Sequence, residues 1–250
     1  MKVINSITGI VIGSLIGAGL AFAAESAPEP KEVLAPVEKV FLPTGFDNND
    51  NTEIILHGEF PNSCYKVGHS SYSVDKENKV INVSLTAYEY RSNFCIQVLT
   101  PYVESIKVGV LPAGQYKVNV AGSDIKESIR IGQSIVSSPD SYLYAQVTNA
   151  SLINIRGLDG ASMQKVEIEG EYPYTFVGCA VMERVEVFHV RDDILEVLPI
   201  LKLLEGGDEC IRHSNDFLIQ ADVSSEMFGE GLLHVRSASG NSFNRVVDGL

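Results

Sequence analysis

The run from Asp47 to Asn51 is the densest group of potential oxygen ligands in the sequence, which reads DNNDN there. Carboxylate and amide oxygens at alternate positions suit a hard cation such as Ca²⁺. The candidate calcium ligands are Asp47, Asn49, Asp50 and Asn51. An EF-hand loop needs glycine at its sixth position, where this sequence has Thr52, and Asn and Asp are common in surface turns. We therefore expect an ordinary turn, with a calcium site as the alternative and no other cofactor.

The histidines and the nucleophile motifs give no catalytic centre. No two histidines have the HxH or HxxxH spacing of paired metal ligands. His189 alternates with Val185 and Val187 and is predicted to face the sheet interior or its edge. His234 lies between two apolar neighbours and is predicted to face outward. The GxSxG, phosphate-loop and dinucleotide-binding motifs are missing from the sequence, although a glycosidase-type carboxylate pair stays open.

The four cysteines are compatible with three pairings, and their spacing favours one of them. Cys64 and Cys95 are 31 residues apart, and so are Cys179 and Cys210. The equal spacing is expected if one module was duplicated, and each copy would then carry its own bond. This predicts the disulfides Cys64–Cys95 and Cys179–Cys210. A four-cysteine zinc site or a redox-active pair would require close CxxC pairs, and the sequence has none.

An internal repeat organises these residues. Residues 45–61 (GFDNNDNTEIILHGEFP) align without a gap with residues 157–173 (GLDGASMQKVEIEGEYP), at an offset of 112. The identical pairs are Gly45/Gly157, Asp47/Asp159, Gly58/Gly170, Glu59/Glu171 and Pro61/Pro173. A later block places Gly114, Tyr116 and Val118 opposite Gly231, Leu233 and Val235. The repeat predicts a tandem duplication, with modules at residues 38–134 and 138–250.

Each module has the pattern of an all-β domain. Apolar and polar residues alternate from Val80 to Tyr88 and from Tyr116 to Val120, as in strands with one buried face. Further strands are predicted at residues 52–57, 102–110 and 185–190. Residues 190–204 contain Pro199 and many β-branched side chains, which argue against a helix. Six or seven short strands per module predict two tandem immunoglobulin-like β-sandwich domains, each with one intradomain disulfide.

Charge excludes one class of partner. The chain has 19 basic and 32 acidic residues, and a net charge of −13 argues against nucleic acid as the main partner. Residues 38–137 contain 9 basic and 11 acidic side chains, whereas residues 138–250 contain 8 and 18. The second module therefore carries the acidity, which either keeps the chain soluble or forms a face for a basic partner. Its central carboxylates are Glu183, Glu186, Asp192, Asp193, Glu196, Glu205, Asp208 and Glu209.

The N-terminus has the pattern of a secretory signal. Lys2 precedes an apolar stretch, and the small residues at 21 and 23 fit a signal peptidase site after Ala23. An uncleaved membrane anchor is the alternative. Residues 24–37 form a Pro-rich leader that we expect to be solvated and outside the core. The mature chain is expected to be secreted or periplasmic, with no membrane span.

The residues around the first cysteine pair resemble a module of exported bacterial proteins of unassigned function, which is similar to immunoglobulin-like and fibronectin-type sandwiches. The matching positions are Gly58, Pro61, Cys64, Cys95, Pro101, Val108, Gly114, Tyr116 and Val118. The resemblance implies a β-sandwich fold and, by itself, no activity.

The best candidate binding site is the loop at residues 88–94. It contains Tyr88, Tyr90, Arg91 and Phe94, and aromatic and arginine side chains offer large contact areas. We therefore predict a non-enzymatic exported binding, adhesion or envelope scaffold protein, which presents loops and an acidic face to a protein, envelope or host surface. The alternative is a secreted protease inhibitor, or a hydrolase with a site between the modules.

Overall fold

The computed structural model describes residues 29–90, 94–136, 140–156, 162–173, 180–204, 215–224, 227 and 229–249. These residues form fifteen strands and one 3-10 turn at Ala238–Gly240. The strands up to residue 131 are β1 (Lys31–Leu34), β2 (Lys39–Phe41), β3 (Thr52–Phe60), β4 (Tyr65–Asp75), β5 (Val80–Glu89), β6 (Thr100–Gly109), β7 (Gly114–Val120) and β8 (Lys126–Ile131). The later strands are β9 (Gln146–Arg156), β10 (Ser162–Glu171), β11 (Ala180–Arg191), β12 (Ile194–Leu203), β13 (Asp216–Asp222), β14 (Glu230–Ser237) and β15 (Asn241–Asp248).

The first sandwich consists of two sheets. Sheet A contains β1, β4, β5, β7 and β8, and sheet B has the order β2-β3-β6. The alternation predicted for β5 is observed, since Ile81, Val83 and Leu85 are buried whereas Asn82 is exposed. These residues pack against Ile54 of sheet B in one apolar core. The predicted strands of this module are therefore confirmed.

The second sandwich repeats this arrangement. Sheet C has the order β11-β12-β14-β15, and sheet D has the order β13-β10-β9. Its core includes Val166 and Ile168 from sheet D and Leu195, Val197 and Leu233 from sheet C. Residues 194–203 form a strand, as Pro199 and the β-branched content predict. The chain is thus all-β, with two β-sandwiches in tandem.

The two sandwiches share one uncommon strand pairing. β5 runs parallel to β7 in the first, with Ile81 opposite Val118. β12 runs parallel to β14 in the second, with Leu195 opposite Leu233. The other strand pairs within the four sheets are antiparallel in the described parts of the chain. Apart from β1, which has no counterpart in the described part of the second sandwich, both sandwiches therefore place their strands in the same order.

The four sheets stack in the order A, B, C and D. Sheets A and B enclose the first core, and sheets C and D enclose the second. A third apolar cluster joins sheets B and C and consists of Phe41, Ile55, Ile194 and Leu232, with Val246 packed against it. β3 and β14 are consequently buried on both faces along most of their length. The two sandwiches form one continuous stack.

The leader differs from the sequence expectation. Residues 31–34 form β1, which pairs with β5 in sheet A. Ala35 is buried, Val33 and Val37 pack against the first core, and the carbonyl of Pro36 accepts a hydrogen bond from the Tyr102 hydroxyl. The interpretation of this stretch as outside the core is therefore wrong for Val33, Ala35 and Val37, whereas Lys31, Glu32 and Leu34 are exposed. The prolines indicated extended backbone correctly, but extended backbone can also add to a sheet.

Candidate functional site

The junction between sheets B and C contains the most unusual chemistry of the described structure. Its centre is the apolar cluster at Phe41 and Ile55 in sheet B and Ile194 and Leu232 in sheet C. Charged and polar side chains surround this cluster and pair across it. Buried polar groups are tolerated where they are hydrogen-bonded, so these pairs determine how the two sandwiches fit together.

One polar group of the junction lies around Glu230. Nζ of Lys39 lies 2.7 Å from Oε1 of Glu230, and Nε2 of His57 lies 3.3 Å from Oε2. Nδ1 of His57 lies 3.0 Å from the carbonyl oxygen of Tyr102, which can only accept a hydrogen bond. Nδ1 donates to this carbonyl in the tautomer that carries its proton on Nδ1. The hydrogen bond from Lys39 is the main cause that lowers the pKa of Glu230, and His57 adds to it.

A second polar group lies around Glu53, which is almost fully buried on β3. Its carboxylate accepts hydrogen bonds from the Ser242 hydroxyl and from Nδ2 of Asn244, the latter at 2.9 Å. Nδ2 of Asn244 also lies 3.0 Å from the hydroxyl of Ser105 on β6. Nζ of Lys107 lies 3.8 Å from Oε1 of Glu53. The carboxylate is therefore satisfied mainly by the second sandwich.

A third polar group lies around Arg236. Its guanidinium lies 3.5 Å from Oε1 of Glu196, 3.9 Å from Oδ2 of Asp50 and 4.2 Å from the ring centre of Phe46. Burial raises the pKa of both carboxyls, and the arginine opposes that shift. Glu196 was expected to belong to an exposed acidic region, but it is buried in this group. Arg236 therefore connects the two sandwiches through charge and ring contact.

His234 was predicted to face outward and is instead fully buried. Nδ1 lies 2.6 Å from Oδ1 of Asn244, the ring contacts Phe46 edge-on, and Nε2 has no partner. The alternation is correct with respect to the second core, since Leu233 and Val235 lie in it. Sheet B covers the other face of β14, however, and the alternation within the second module does not show that another sheet lies there. His189 is half-buried, and its Nε2 has no partner in the described residues.

The predicted calcium ligands form a turn whose side chains bond to nearby groups. The amide of Asn49 donates to Oδ1 of Asp47, and the amide of Asp47 donates to Oδ2 of Asp50. Nδ2 of Asn49 donates to the Ser134 hydroxyl at 2.9 Å. Asn51 lies beside Gly240 of the second sandwich. Within the described ranges, no three or more His, Cys, Asp or Glu side chains form a group that could hold a metal ion.

The predicted recognition loop is only partly a loop. β5 extends to Glu89, so Tyr88 lies in sheet A, where its ring contacts His69 edge-on. Tyr90 follows the strand, with Nζ of Lys66 lying 5.3 Å from its ring centre. Phe94 is 78% exposed. Arg91 lies outside the described residues.

The exposed apolar surface continues beyond the predicted loop. Residues 94–99, here called the apolar segment, precede β6 without forming a strand. The segment exposes Phe94, Ile96, Val98 and Leu99, of which Leu99 is 61% exposed. Two hydrogen bonds hold it to Ser63, whose amide donates to the carbonyl of Ile96 and whose hydroxyl accepts from the amide of Ile96. The candidate loop predicted from the sequence ends at Phe94, so Ile96, Val98 and Leu99 extend the exposed surface beyond it.

The disulfide Cys64–Cys95 is present at the base of the apolar segment. It joins the start of β4 to the chain that leads into β6, and the Cα atoms are 5.4 Å apart. The first predicted bond is therefore confirmed. Cys179 and Cys210 lie outside the described residues, and their pairing stays a prediction.

One cavity of about 450 Å³ opens at the junction beside Glu230. Its lining includes three carboxylates and an imidazole, at Glu59, Glu230, Asp248 and His57. No serine, threonine or cysteine of the described chain lines it. The potential nucleophiles that line it are therefore the Tyr102 hydroxyl and the carboxylates.

The fold and the junction define a tandem β-sandwich protein with a continuous four-sheet stack. Residues 54–131 match the family model described as the ORF11 beta-sandwich domain. The match runs from β3 to the end of β8 and covers under a third of the chain, so the first sandwich is similar to this family. The comparisons with curated proteins and with solved structures found no significant match. No helix among the described residues is long and apolar enough to cross a membrane.

The sequence contains one local signal for the junction. Ile54, Ile55 and Leu56 are consecutive apolar residues, which interrupt the alternation of a strand with one wet face. Leu232 and Leu233 do the same in β14. Consecutive apolar residues in a strand indicate burial on both faces, so both strands could have been assigned to a covered sheet.

Proposed function

We propose that the chain is an exported, non-enzymatic binding protein whose recognition surface is the apolar segment at residues 94–99. The observation that carries this proposal is the exposure of Phe94, Ile96, Val98 and Leu99 next to the Cys64–Cys95 disulfide. Contiguous exposed apolar side chains are rare on soluble domains and mark contact sites. A disulfide at the base of the segment limits the entropy lost when a partner orders it.

The export part of the proposal rests on the predicted signal at residues 1–23 and on the disulfide. Disulfides persist in oxidising compartments, which fits a secreted or periplasmic chain. A tandem duplication accounts for the equal order of the strands in the two sandwiches and for the sequence repeat. A bacterial origin rests only on the resemblance of the first module to exported bacterial proteins. The acidic surface of the second module remains a candidate second contact region.

The partner class follows from the chemistry of the segment. Its exposed side chains are aliphatic and aromatic, with Tyr90 close in the chain, and such surfaces bind proteins through a few buried anchors. We therefore favour a protein of the envelope or of a host surface as the ligand. The four-sheet stack supplies a rigid mount, since its junction is held by both apolar and charged contacts.

The test compares a double variant of the segment with a matched control. Phe94→Ser with Leu99→Ser removes two exposed apolar side chains, and Ile135→Ser removes one that is 96% exposed elsewhere. Immobilised wild type and Ile135→Ser should retain the same partner from solubilised envelope and host-surface extracts, and the double variant should lose it at least tenfold. Equal retention by all three proteins would rule out the segment as the recognition surface.

A protease inhibitor is the second candidate, because the segment is an exposed stretch pinned by a disulfide. Titration of a protease panel with wild type distinguishes the two roles. Stoichiometric inhibition that the double variant loses would favour the inhibitor.

A hydrolase is the third candidate, supported by the cavity lined by His57 and three carboxylates. Turnover of a glycoside panel, abolished by Glu230→Gln, would favour that activity.

A further inference from the structure

The two sandwiches dock through unlike sheets. The three-stranded sheet B of the first packs on the four-stranded sheet C of the second. The counterpart of sheet C in the first sandwich is sheet A, and the counterpart of sheet B in the second is sheet D. Sheets A and D are the outer layers of the stack. The two outer sheets of one chain are therefore the counterparts of the two sheets at its junction. Sheet A corresponds to sheet C, and sheet D corresponds to sheet B.

A contact between unlike surfaces is heterologous, so it leads to an open filament or, where the rotation closes, to a ring. When the same contact can be made again at each end, copies add head to tail instead of forming a closed pair. Sheet D of one copy has the strand order of sheet B, and sheet A of the next copy matches sheet C in β5, β7 and β8. The geometry that joins the sandwiches within the chain is thus available between chains.

The residues at the equivalent positions carry opposite charges. Ile55 of sheet B belongs to the junction cluster, and the repeat offset of 112 makes Glu167 its counterpart on sheet D. Leu232 of sheet C belongs to the same cluster. Its counterpart on sheet A is Lys117, because Leu232 pairs with Ile194 as Lys117 pairs with Val80. Docking in the same register would bring Glu167 of one copy towards Lys117 of the next.

Further charges of the same sign lie on both faces, together with one residue of opposite sign on each, Glu32 on sheet A and Lys165 on sheet D. Sheet A exposes Lys117, Lys126 and Arg130, and no carboxylate of the described chain lies within ion-pair distance of these three. Sheet D directs Glu167, Glu169 and Glu171 to one face of β10, because Val166 and Ile168 between them point into the core. Opposite potentials of this kind steer and orient association.

We propose that a second copy of this chain is the partner of the outer sheets, with the acidic face of sheet D docking on the basic face of sheet A. The contact between chains lacks the apolar centre of the internal junction. Lys117 occupies the position that corresponds to Leu232, and Glu167 occupies the position that corresponds to Ile55. The association is therefore electrostatic and reversible, and salt weakens it. It is independent of the apolar segment and extends the rigid stack into a longer rod.

Sedimentation velocity and light scattering on the purified chain test this proposal. In 50 mM NaCl the average mass should rise with concentration beyond twice that of the single chain, and about 500 mM NaCl should return it to the single chain. Lys117→Glu should weaken association at least tenfold in 50 mM NaCl. Lys202→Glu is the matched control, since it reverses an exposed lysine away from both faces and should leave association unchanged.

A charge exchange supplies the decisive arm. One triple variant carries Lys117→Glu, Lys126→Glu and Arg130→Glu, and the other carries Glu167→Lys, Glu169→Lys and Glu171→Lys. Each should remain a single chain when alone, and an equimolar mixture should associate again, because each basic face then meets an acidic one.

Four results would overturn the proposal. They are a constant single-chain mass in low salt, a mass that stops at twice the single chain, unchanged association of either triple variant, and no association of the mixture. The variant Phe94→Ser with Leu99→Ser should associate like wild type, so failure of the recognition proposal is distinguishable from failure of this one.

Discussion

Gly58 and Gly170 have the same kind of neighbours in the two sandwiches. A Cβ at Gly58 would overlap the carbonyl oxygen of Pro36 and lie 2.8 Å from the Tyr102 hydroxyl. A Cβ at Gly170 would overlap the carbonyl oxygen of Gln146 and lie 2.5 Å from Cζ of Phe217. Each glycine therefore lets a neighbouring backbone carbonyl and an aromatic side chain approach the backbone closely. This repeated contact explains physically why glycine stands at both positions.

Alanine at either glycine should destabilise the protein. We expect Gly58→Ala and Gly170→Ala each to lower the free energy of unfolding by about 2 kcal/mol, because backbone must shift to admit the methyl group. Urea unfolding measures the change. Gly132→Ala is the control, since its Cβ would meet its nearest neighbour at 3.5 Å, an ordinary contact. Equal stability of all three variants would contradict the steric explanation.

The Cys64–Cys95 disulfide should contribute measurably to stability. The bond closes a loop of about 32 residues, for which the chain-entropy model gives about 3.5 kcal/mol. We expect Cys64→Ala with Cys95→Ala to lower the free energy of unfolding by roughly 3 kcal/mol in urea. A double variant as stable as wild type would refute this estimate. Peptide mapping without reductant tests the predicted Cys179–Cys210 pair in the same protein.

Most strands could be predicted from the sequence because burial within one sandwich produces local alternation. β5 and β7 follow this rule, with Ile81 and Val118 pointing into the core. The first disulfide could be predicted because equal spacing in a repeat restricts the possible pairings. Both inferences use information that lies within one module.

The junction could not be predicted in the same way, because it depends on how two modules meet. His234 and Glu196 lie on the polar face of their strands, and alternation alone places that face in solvent. Sheet B covers the face, so both residues are buried. The leader shows the same limit, since its composition indicated extended chain but not the sheet edge at β5 that it joins. Burial of a strand face by a sheet that is distant in sequence changes the local sequence pattern little, apart from the consecutive apolar residues in β3 and β14.

Arg236 should matter far more than an exposed arginine with similar partners. Arg236→Met would leave Glu196 buried without its cation, and breaking a buried pair in this way costs about 3 kcal/mol. Arg184→Met is the control, because Arg184 also contacts two carboxylates but is exposed, and we expect little change there. Urea unfolding compares the two.

A second variant keeps the Arg236 prediction specific. Adding Glu196→Leu to Arg236→Met removes the buried carboxylate that has lost its cation, and should recover part of the lost stability. If Arg236→Met and Arg184→Met destabilised the chain equally, burial of the charge would not be the cause. If Glu196→Leu lowered the free energy of unfolding as much in the Arg236→Met background as it does alone, the two residues would act separately.

His234 should make the folded chain sensitive to acid. Burial, with a smaller effect of the nearby Arg236, lowers the pKa of His234 from 6.5 to about 3. The unfolded chain therefore binds this proton more readily than the folded chain between these values. The stabilisation is complete above about pH 6.5 and is lost as the pH falls towards 3. We expect a loss on the order of 3 kcal/mol between pH 6.5 and pH 4.

His234→Gln isolates this effect from the neighbouring carboxyls. Burial raises the pKa of Asp50 and of Glu196, so their contribution has the opposite sign and stabilises the folded chain as the pH falls. Both carboxyls remain in the variant, whose unfolding free energy is measured in urea from pH 7 to pH 4 beside that of wild type. The wild type should lose more stability than the variant over this range, because only the wild type contains the buried His234 imidazole, which takes up a proton on unfolding. Parallel pH profiles would show that His234 is not the acid-sensitive group.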